Sequence, residues 1–585
     1  MWIFRDRNTR YYAKLELKGT YREIGVQVIA RSDLAPHKNF RFDFFYEQIE
    51  RILAGKSITR VIVHRWENFH APAFGGLEEI RAALQRLTDA GKEVYYYAPE
   101  YNAADCFLAS ACSHRILHPL GKVSFLGKAI SSVFFKKLLD KYSIDVTVIR
   151  RDRYKSAADS FRGEKYDEYA REQYQDLLDG LVESMRKVVT SSSKSNGNKG
   201  FSEKILDEML DGRIFNAPEA LEAGMIDDLR TIDDLTNKWN AEKFKMKSPG
   251  GVLGRFGSGA GVAVLVFEGM IVEGGNRRSP VFGQAVGDRP MVKLIRKLRK
   301  SSRIHAVIFR INSNGGSAFA SENILRELVA LNKEKPLVIS MGPVAGSGGY
   351  WISTTGRRQF ALRTTITGSI GVLSILFNLS DLLRKQGLTT DCIKYGESAD
   401  IGSALRPLTD KEKKMIDENI DFLYKKFLDR VAEFRNMPAG KIHELGEGRL
   451  WLGKKAVDRG LVDESGGLYD AIVHIKDIIK AKKVRVRFYP RQPYLFRLIA
   501  RKNASNNEKA ESLTNCFFPV IYGNGLPERT LTSFLSGSPF EKATTDHEIL
   551  NEIAYACLSV HGRPLFIDPS LLQFVSGERD KGVCK

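Results

Sequence analysis

Gly212-Arg213-Ile214-Phe215, followed by Ala220-Leu221 and Gly224-Met225-Ile226-Asp227, returns later in the chain as Gly448-Arg449-Leu450-Trp451, Ala456-Val457 and Gly460-Leu461-Val462-Asp463. Every pair is separated by the same 236 positions (448 less 212, 463 less 227), and identical spacing over sixteen residues points to an internal duplication. Earlier blocks follow with small changes of offset. Leu15-Glu16-Leu17-Lys18-Gly19 answers Leu265-Val266-Phe267-Glu268-Gly269, and Val61-Ile62-Val63 answers Val307-Ile308-Phe309. In each half, short β-branched runs alternate with amphipathic helical stretches, as at residues 306–312, 321–331 and 336–341. Strands alternating with helices build parallel βαβ units whose functional groups gather at the carboxyl ends of the strands. The expected fold is α/β, in two tandem copies of one domain.

The first copy is expected over residues 1–245 and the second over 262–485, joined by a glycine-rich connector at 246–261. A basic extension, 486–585, follows. It is entered through Lys482-Lys483-Val484-Arg485-Val486-Arg487-Phe488-Tyr489, which reads either as a solvated edge strand and linker or as a membrane-surface or partner-docking segment. A length of 585 residues agrees with more than one core, and 43% hydrophobic with 27% charged residues is a globular balance. The net charge of +20 and pI near 9.5 favour an anionic neighbour, whether nucleic acid, a membrane surface or acidic client segments. No RNP-like aromatic strand and no paired Cys/His spacing occurs, so neither a nucleic-acid partner nor a zinc site is expected. The six cysteines are scattered without a CxxC and read as reduced thiols. No run of about 18 apolar residues occurs, and the start, charged from Arg5 onward, has no signal-peptide core, so no membrane-spanning segment is expected.

The chemistry is read from Leu337-Val338-Ile339-Ser340-Met341-Gly342-Pro343-Val344-Ala345-Gly346-Ser347-Gly348-Gly349-Tyr350, an apolar strand running into a glycine-bracketed serine that opens a helix. Glycines beside Ser347 permit a sharp turn and a close substrate, and the helix start offers unpaired N–H groups. Registering the two copies puts Ala103, which has no hydroxyl, opposite Ser347. Conversely, Lys155 in Arg153-Tyr154-Lys155-Ser156 falls opposite Glu397 in Tyr395-Gly396-Glu397-Ser398. Ser347 and Lys155 are therefore expected to be complementary halves of one site, the lysine acting as general base for the serine. A free lysine titrates near 10.4, so this role needs a depression of about 3 units, which burial at the domain interface would supply. The loop Asn312-Ser313-Asn314-Gly315-Gly316-Ser317 also joins a strand to a helix, and the N–H groups of Gly316 and Gly348 are the expected oxyanion donors. The corresponding first-copy loop, Arg65-Trp66-Glu67-Asn68-Phe69-His70, has no glycine before Gly75-Gly76. A Ser-His-Asp triad is not favoured: His305 reads as a strand-entry residue, and His114 and His118 lie in the copy without a nucleophile.

Taken together, Asn312-Ser313-Asn314-Gly315-Gly316-Ser317, Ala345-Gly346-Ser347-Gly348-Gly349-Tyr350-Trp351-Ile352, Thr367-Gly368-Ser369-Ile370-Gly371 and Tyr154-Lys155-Ser156-Ala157 resemble the S49 peptidase family in its long, tandem-repeat form. The resemblance covers roughly residues 10 to 485. It implies a ClpP/crotonase-like α/β fold, Ser347 as nucleophile, Lys155 as general base and Ser369 as a hydroxyl that orients the lysine. It implies an oligomeric bowl, a homotetramer, with the sites on its inner surface and no metal or cofactor. The implied activity is endoproteolysis of signal peptides already released from their precursors and of other hydrophobic or unfolded peptides. Long relatives carry an amino-terminal membrane anchor that this chain lacks, so a cytoplasmic place, or a peripheral one at the inner face of the cell membrane, is expected. The alternatives are a crotonase-type acyl-CoA enzyme on the same fold and a non-enzymatic membrane-surface scaffold.

Overall fold

The computed structural model describes residues 11–24, 39–71, 73–195, 201–242, 245–246, 259–279 and 283–490. Most of the expected connector (247–258) and nearly all of the expected extension (from 491) lie outside the described residues, as do Cys516, Cys557 and Cys584. The first copy carries a six-stranded, wholly parallel sheet in the order Asp228–Leu229, His114–Leu117, Glu93–Ala98, Ile58–Arg65, Tyr11–Leu17, Lys245–Met246. Helices Phe42–Ala54 and Phe74–Asp89 make its crossovers. The second copy repeats the plan in the order Leu450–Leu452, Ile366–Gly368, Leu337–Gly346, Ala306–Ser313, Ala260–Glu268, Val484–Tyr489. Only the Leu450–Leu452 edge runs antiparallel in that row. The Val484–Tyr489 strand pairs in parallel with Ala260–Glu268, so the sheet runs past residue 485 to Tyr489. Within the described residues the basic stretch is thus an edge strand.

Strands buried on both faces read as continuous apolar runs, and the second sheet shows what each face is for. Val262, Val264 and Val266 of one strand and Ala306 and Ile308 of the next join a core that also holds Leu15, Leu17, Val61, Ile80 and Leu84 of the first copy. The alternate residues, Ala263, Leu265, Phe267, Val307, Phe309 and Ile311, face the second copy's own helices. One hydrophobic core therefore serves both copies, and a period of two assigns every second side chain to it.

Polar ties cross the same boundary. Arg310, completely buried, pairs with Glu23 at 2.8 Å and Glu79 at 2.7 Å, both from the first copy. Its Nη1 also reaches Ser340 Oγ and Met341 O, so the buried charge is hydrogen-bonded as well as paired. Nearby, burial pushes the Glu268 carboxyl up to about 7, although the Glu23 N–H donates to it at 3.2 Å. At the far side, Asp145–Arg150 of the first copy pairs antiparallel with Leu373–Asn378 of the second. Among the described residues no helix is long and apolar enough to cross a membrane.

Candidate active site

The strand Leu337–Gly346 forks. Ile339 to Met341 pair with Gln359 to Ala361, then Val344 to Gly346 pair with Ile366 to Gly368, and Pro343, which has no N–H to place, sits at the change of partner. The second arm ends at Ser347, whose backbone is at φ +54°, ψ −123°. A non-glycine residue at positive φ is strained and persists only where its surroundings over-determine it. Here the Ser347 N–H donates to Gly368 O at 2.9 Å, and the Ser347 carbonyl accepts the Trp351 N–H at 2.9 Å, opening the buried helix Gly348–Ser353. The hydroxyl is left half-buried at the turn. Gly348 admits no side chain: a Cβ there would lie 2.7 Å from Ser321 Oγ and 3.2 Å from Gly316 N.

Lys155 arrives from the first copy. It follows the strand Asp145–Arg150, which the antiparallel pairing carries over to the second copy, and its Nζ lies 2.9 Å from Ser347 Oγ, 2.9 Å from Ser369 Oγ and 2.9 Å from Ser369 O. The residue is 5% exposed, among the described residues no carboxylate pairs with it, and burial pushes its amine down to about 7. The three contacts define what the neutral amine can do. Its two N–H groups are taken by the carbonyl, which can only accept, and by the Ser369 hydroxyl; the lone pair is then left for the Ser347 O–H. Ser369 is held for this by a positive φ of 51° and by its own N–H, which donates to Arg449 O at 2.7 Å. Gly448, at φ +77°, makes room for the lysine backbone, since a Cβ there would fall 2.6 Å from Lys155 N. Tyr154 N–H donates to Glu447 O at 3.0 Å, and Arg150 Nη1 to Lys155 O at 3.0 Å, so the loop is fixed on both sides of the lysine.

The Gly316 N–H lies close to Gly348, where a Cβ would come within 3.2 Å of it, and neither the Gly316 nor the Gly348 N–H has an acceptor among the described residues. Gly316 itself is exposed, and the chain around it is pinned by Ile271: Ile271 N–H donates to Gly315 O and Ser317 N–H to Ile271 O. The arrangement can deprotonate a hydroxyl next to two free N–H donors.

The first copy holds a different structure at the corresponding place. Tyr101 bridges Val123 as Ala345 pairs with Thr367, which sets Ala103 opposite Ser347. Ala103 begins an ordinary helix capped by Asn102. Asp105, two residues on, is buried against Arg65 at 2.6 Å and takes the Tyr96 hydroxyl at 2.7 Å, so a buried ion pair lies beside this helix start. Glu397 is exposed and pairs with Lys411 at 2.7 Å, away from either site. His305 Nδ1 accepts the Gly261 N–H at the strand entry, and among the described residues no histidine hydrogen-bonds Ser347 or Lys155. Sequence reasoning missed Gly448 and Gln173, the second of which donates to the Tyr154 carbonyl and the Ser156 hydroxyl on either side of the lysine. Gly448 carried a signal, being the counterpart of Gly212 in the repeat; yet a Cβ on Gly212 would meet nothing within 4 Å, so the repeat alone does not show that one of the two cradles a lysine.

The sequence model of peptidase family S49 matches residues 86–245 and 329–482, one segment in each copy. The chain is 28% identical over 495 residues to Protease 4 of Salmonella typhi, covering 81% of this chain and 78% of the relative. It is 30% identical over 435 residues to Protease 4 of Haemophilus influenzae, covering 71% and 69%. It is also 30% identical over 419 residues to the chloroplastic serine protease SPPA of Arabidopsis thaliana, covering 69% of this chain and 61% of that protein.

Proposed function

The chain belongs to peptidase family S49, and on that premise we propose that it is a serine endopeptidase that degrades released signal peptides and other hydrophobic or unfolded peptides, with Ser347 as nucleophile and Lys155 as general base. The observation that carries this reading is the 2.9 Å contact between a buried lysine held near 7 and a hydroxyl on a strained turn. Neutral Lys155 takes the Ser347 proton as Oγ attacks the scissile carbonyl carbon. The oxygen of that carbonyl becomes an oxyanion on the N–H groups of Gly316 and Gly348. The tetrahedral intermediate collapses, the Lys155 ammonium gives its proton to the leaving amine, and an acyl-Ser347 ester remains. A water molecule, deprotonated by the same amine, then hydrolyses the ester. Ser369 keeps the lone pair directed throughout.

The test is cleavage of a fluorogenic, leucine- or aromatic-rich peptide together with labelling by a fluorophosphonate. Ser347→Ala is expected to abolish both, and Lys155→Ala to lower cleavage by about 10³-fold or more. Wild-type kcat/KM is expected to rise with pH through about 7 as the lysine loses its proton. A folded Lys155→Ala chain with full activity, or a label found elsewhere than Ser347, would sink the dyad. An acyl-CoA enzyme would have no use for this pair. A homotetramer and a peripheral place at the inner face of a membrane complete the proposal, the second supported by the net charge of +20. Light scattering on the purified chain and co-sedimentation with anionic against neutral vesicles measure them.

A further inference from the structure

Gln173 lies in the helix Glu168–Ser195 of the first copy, with its side chain wholly buried. Its Nε2 donates to Tyr154 O at 3.0 Å and to Ser156 Oγ at 2.8 Å, the residues immediately before and after Lys155. Its Oε1 accepts the Leu450 N–H at 3.2 Å. A carbonyl can only accept and a peptide N–H can only donate, so these two partners force the orientation of the amide. Leu450 is the strand partner of Gly368, the residue before Ser369, and the carbonyl of its neighbour Arg449 takes the Ser369 N–H. One amide therefore ties the backbone on both sides of the lysine, from one copy, to the strand that sets the lysine-orienting serine, from the other. Ser156 Oγ is steadied in turn by the Tyr174 hydroxyl at 3.1 Å.

We propose that Gln173 is a positioning residue for the general base: it holds the Tyr154-Lys155-Ser156 segment in register with Ser369, so that Nζ meets both hydroxyls and stays out of water. The proposal rests on the Ser347–Lys155 reading given above. Proton transfer demands placement within about half an ångström, and the ammonium is disfavoured only while the pocket stays closed. Loosening the clamp thus changes two things together, the distance to Ser347 and the proton affinity of the amine. A residue that merely filled space would change neither.

The experiment compares full-length wild type with Gln173→Met, Gln173→Asn and Gln173→Glu in cleavage of a fluorogenic hydrophobic peptide across pH 5.5 to 9.5. Gln173→Met keeps the volume and removes all three hydrogen bonds. It is expected to lower kcat by about tenfold or more with KM within about threefold of wild type, and to move the acid limb of kcat/KM upward by about half a pH unit or more. Gln173→Glu sets a carboxylate against Tyr154 O beside the lysine and is expected to move that limb further up. A folded Gln173→Met chain with wild-type kcat and an unmoved acid limb overturns the proposal. If Gln173→Met does not reach a wild-type melting temperature, Gln173→Asn, which keeps the amide but is one methylene short of its partners, decides on the same two readouts. Failure of the underlying peptidase reading is distinct: wild type itself would neither cleave nor label at Ser347.

Discussion

Lys155 is a residue whose usefulness and whose cost have the same origin. Its folded-state amine is held near 7, below the ordinary value, so between about 7 and 10.5 the unfolded chain binds the extra proton and stability rises with pH across that window. At neutral pH the burial is a net penalty. Lys155→Met is accordingly expected to abolish peptide cleavage and to raise stability at pH 7 by a few kcal/mol, on the order of 2–4, the gain shrinking toward pH 10. Parallel denaturant titrations at pH 7 and pH 9.5 check this, and equal or lower stability of the variant at pH 7 would show that the three hydrogen bonds outweigh desolvation. The pairing of Ser347 with Lys155 could be read from the sequence because a duplicated chain supplies its own control: a serine against Ala103, a lysine against Glu397. Gln173 has no such contrast to reveal it. It is an ordinary polar residue in a helical pattern, and its importance comes from partners that lie close in space but distant in sequence, such as Leu450.

Two elements carry the lysine across, the strand pair Asp145–Arg150 with Leu373–Asn378 and the helix Asp410–Arg435. Arg151 fastens the end of that strand to the helix through both oxygens of Asp417. Ser374, opposite Ile149, falls in a hydrogen-bonded pair of this ladder, two residues on from Val372, whose carbonyl takes the Arg151 N–H. Ser374→Pro is expected to remove a ladder bond at about 1–3 kcal/mol, and to cut kcat by more than that loss of stability explains, because the strand it weakens delivers Lys155. Melting curves and cleavage measured on one preparation separate the two; wild-type kcat in the folded variant would show that the ladder is dispensable for placement. This pairing was not legible beforehand. The repeat comparison predicts each copy's internal sheet, whereas a strand of one copy lying against a strand of the other breaks the symmetry on which that comparison depends. The parallel sheets themselves were legible, since strands such as Ala306–Ser313 are apolar at nearly every position.

For the molecule as a whole, the shared core and the Arg310 cluster make the two copies one folding unit. The halves, expressed together as separate chains divided within 247–258, are expected to co-purify and cleave peptide, while either alone is expected to be insoluble or inactive; an independently soluble, active second half would contradict the shared core. The buried carboxyl of Glu268 gives a second measure. Its folded value is raised to about 7, so its favourable contribution is present below the unfolded value near 4.5 and is lost as pH rises through about 7. Glu268→Gln is expected to raise the melting temperature at pH 8, with the difference narrowing by pH 5. A division of labour between copies also has a consequence in time. On the proposed dyad, the base is translated first and the nucleophile roughly 190 residues later, and neither is competent until the late strand Leu373–Asn378 has closed on the early one. A nascent chain on the ribosome is therefore unarmed: hydrolytic power arrives only with the finished fold, and the enzyme cannot turn on its own unfolded self during synthesis.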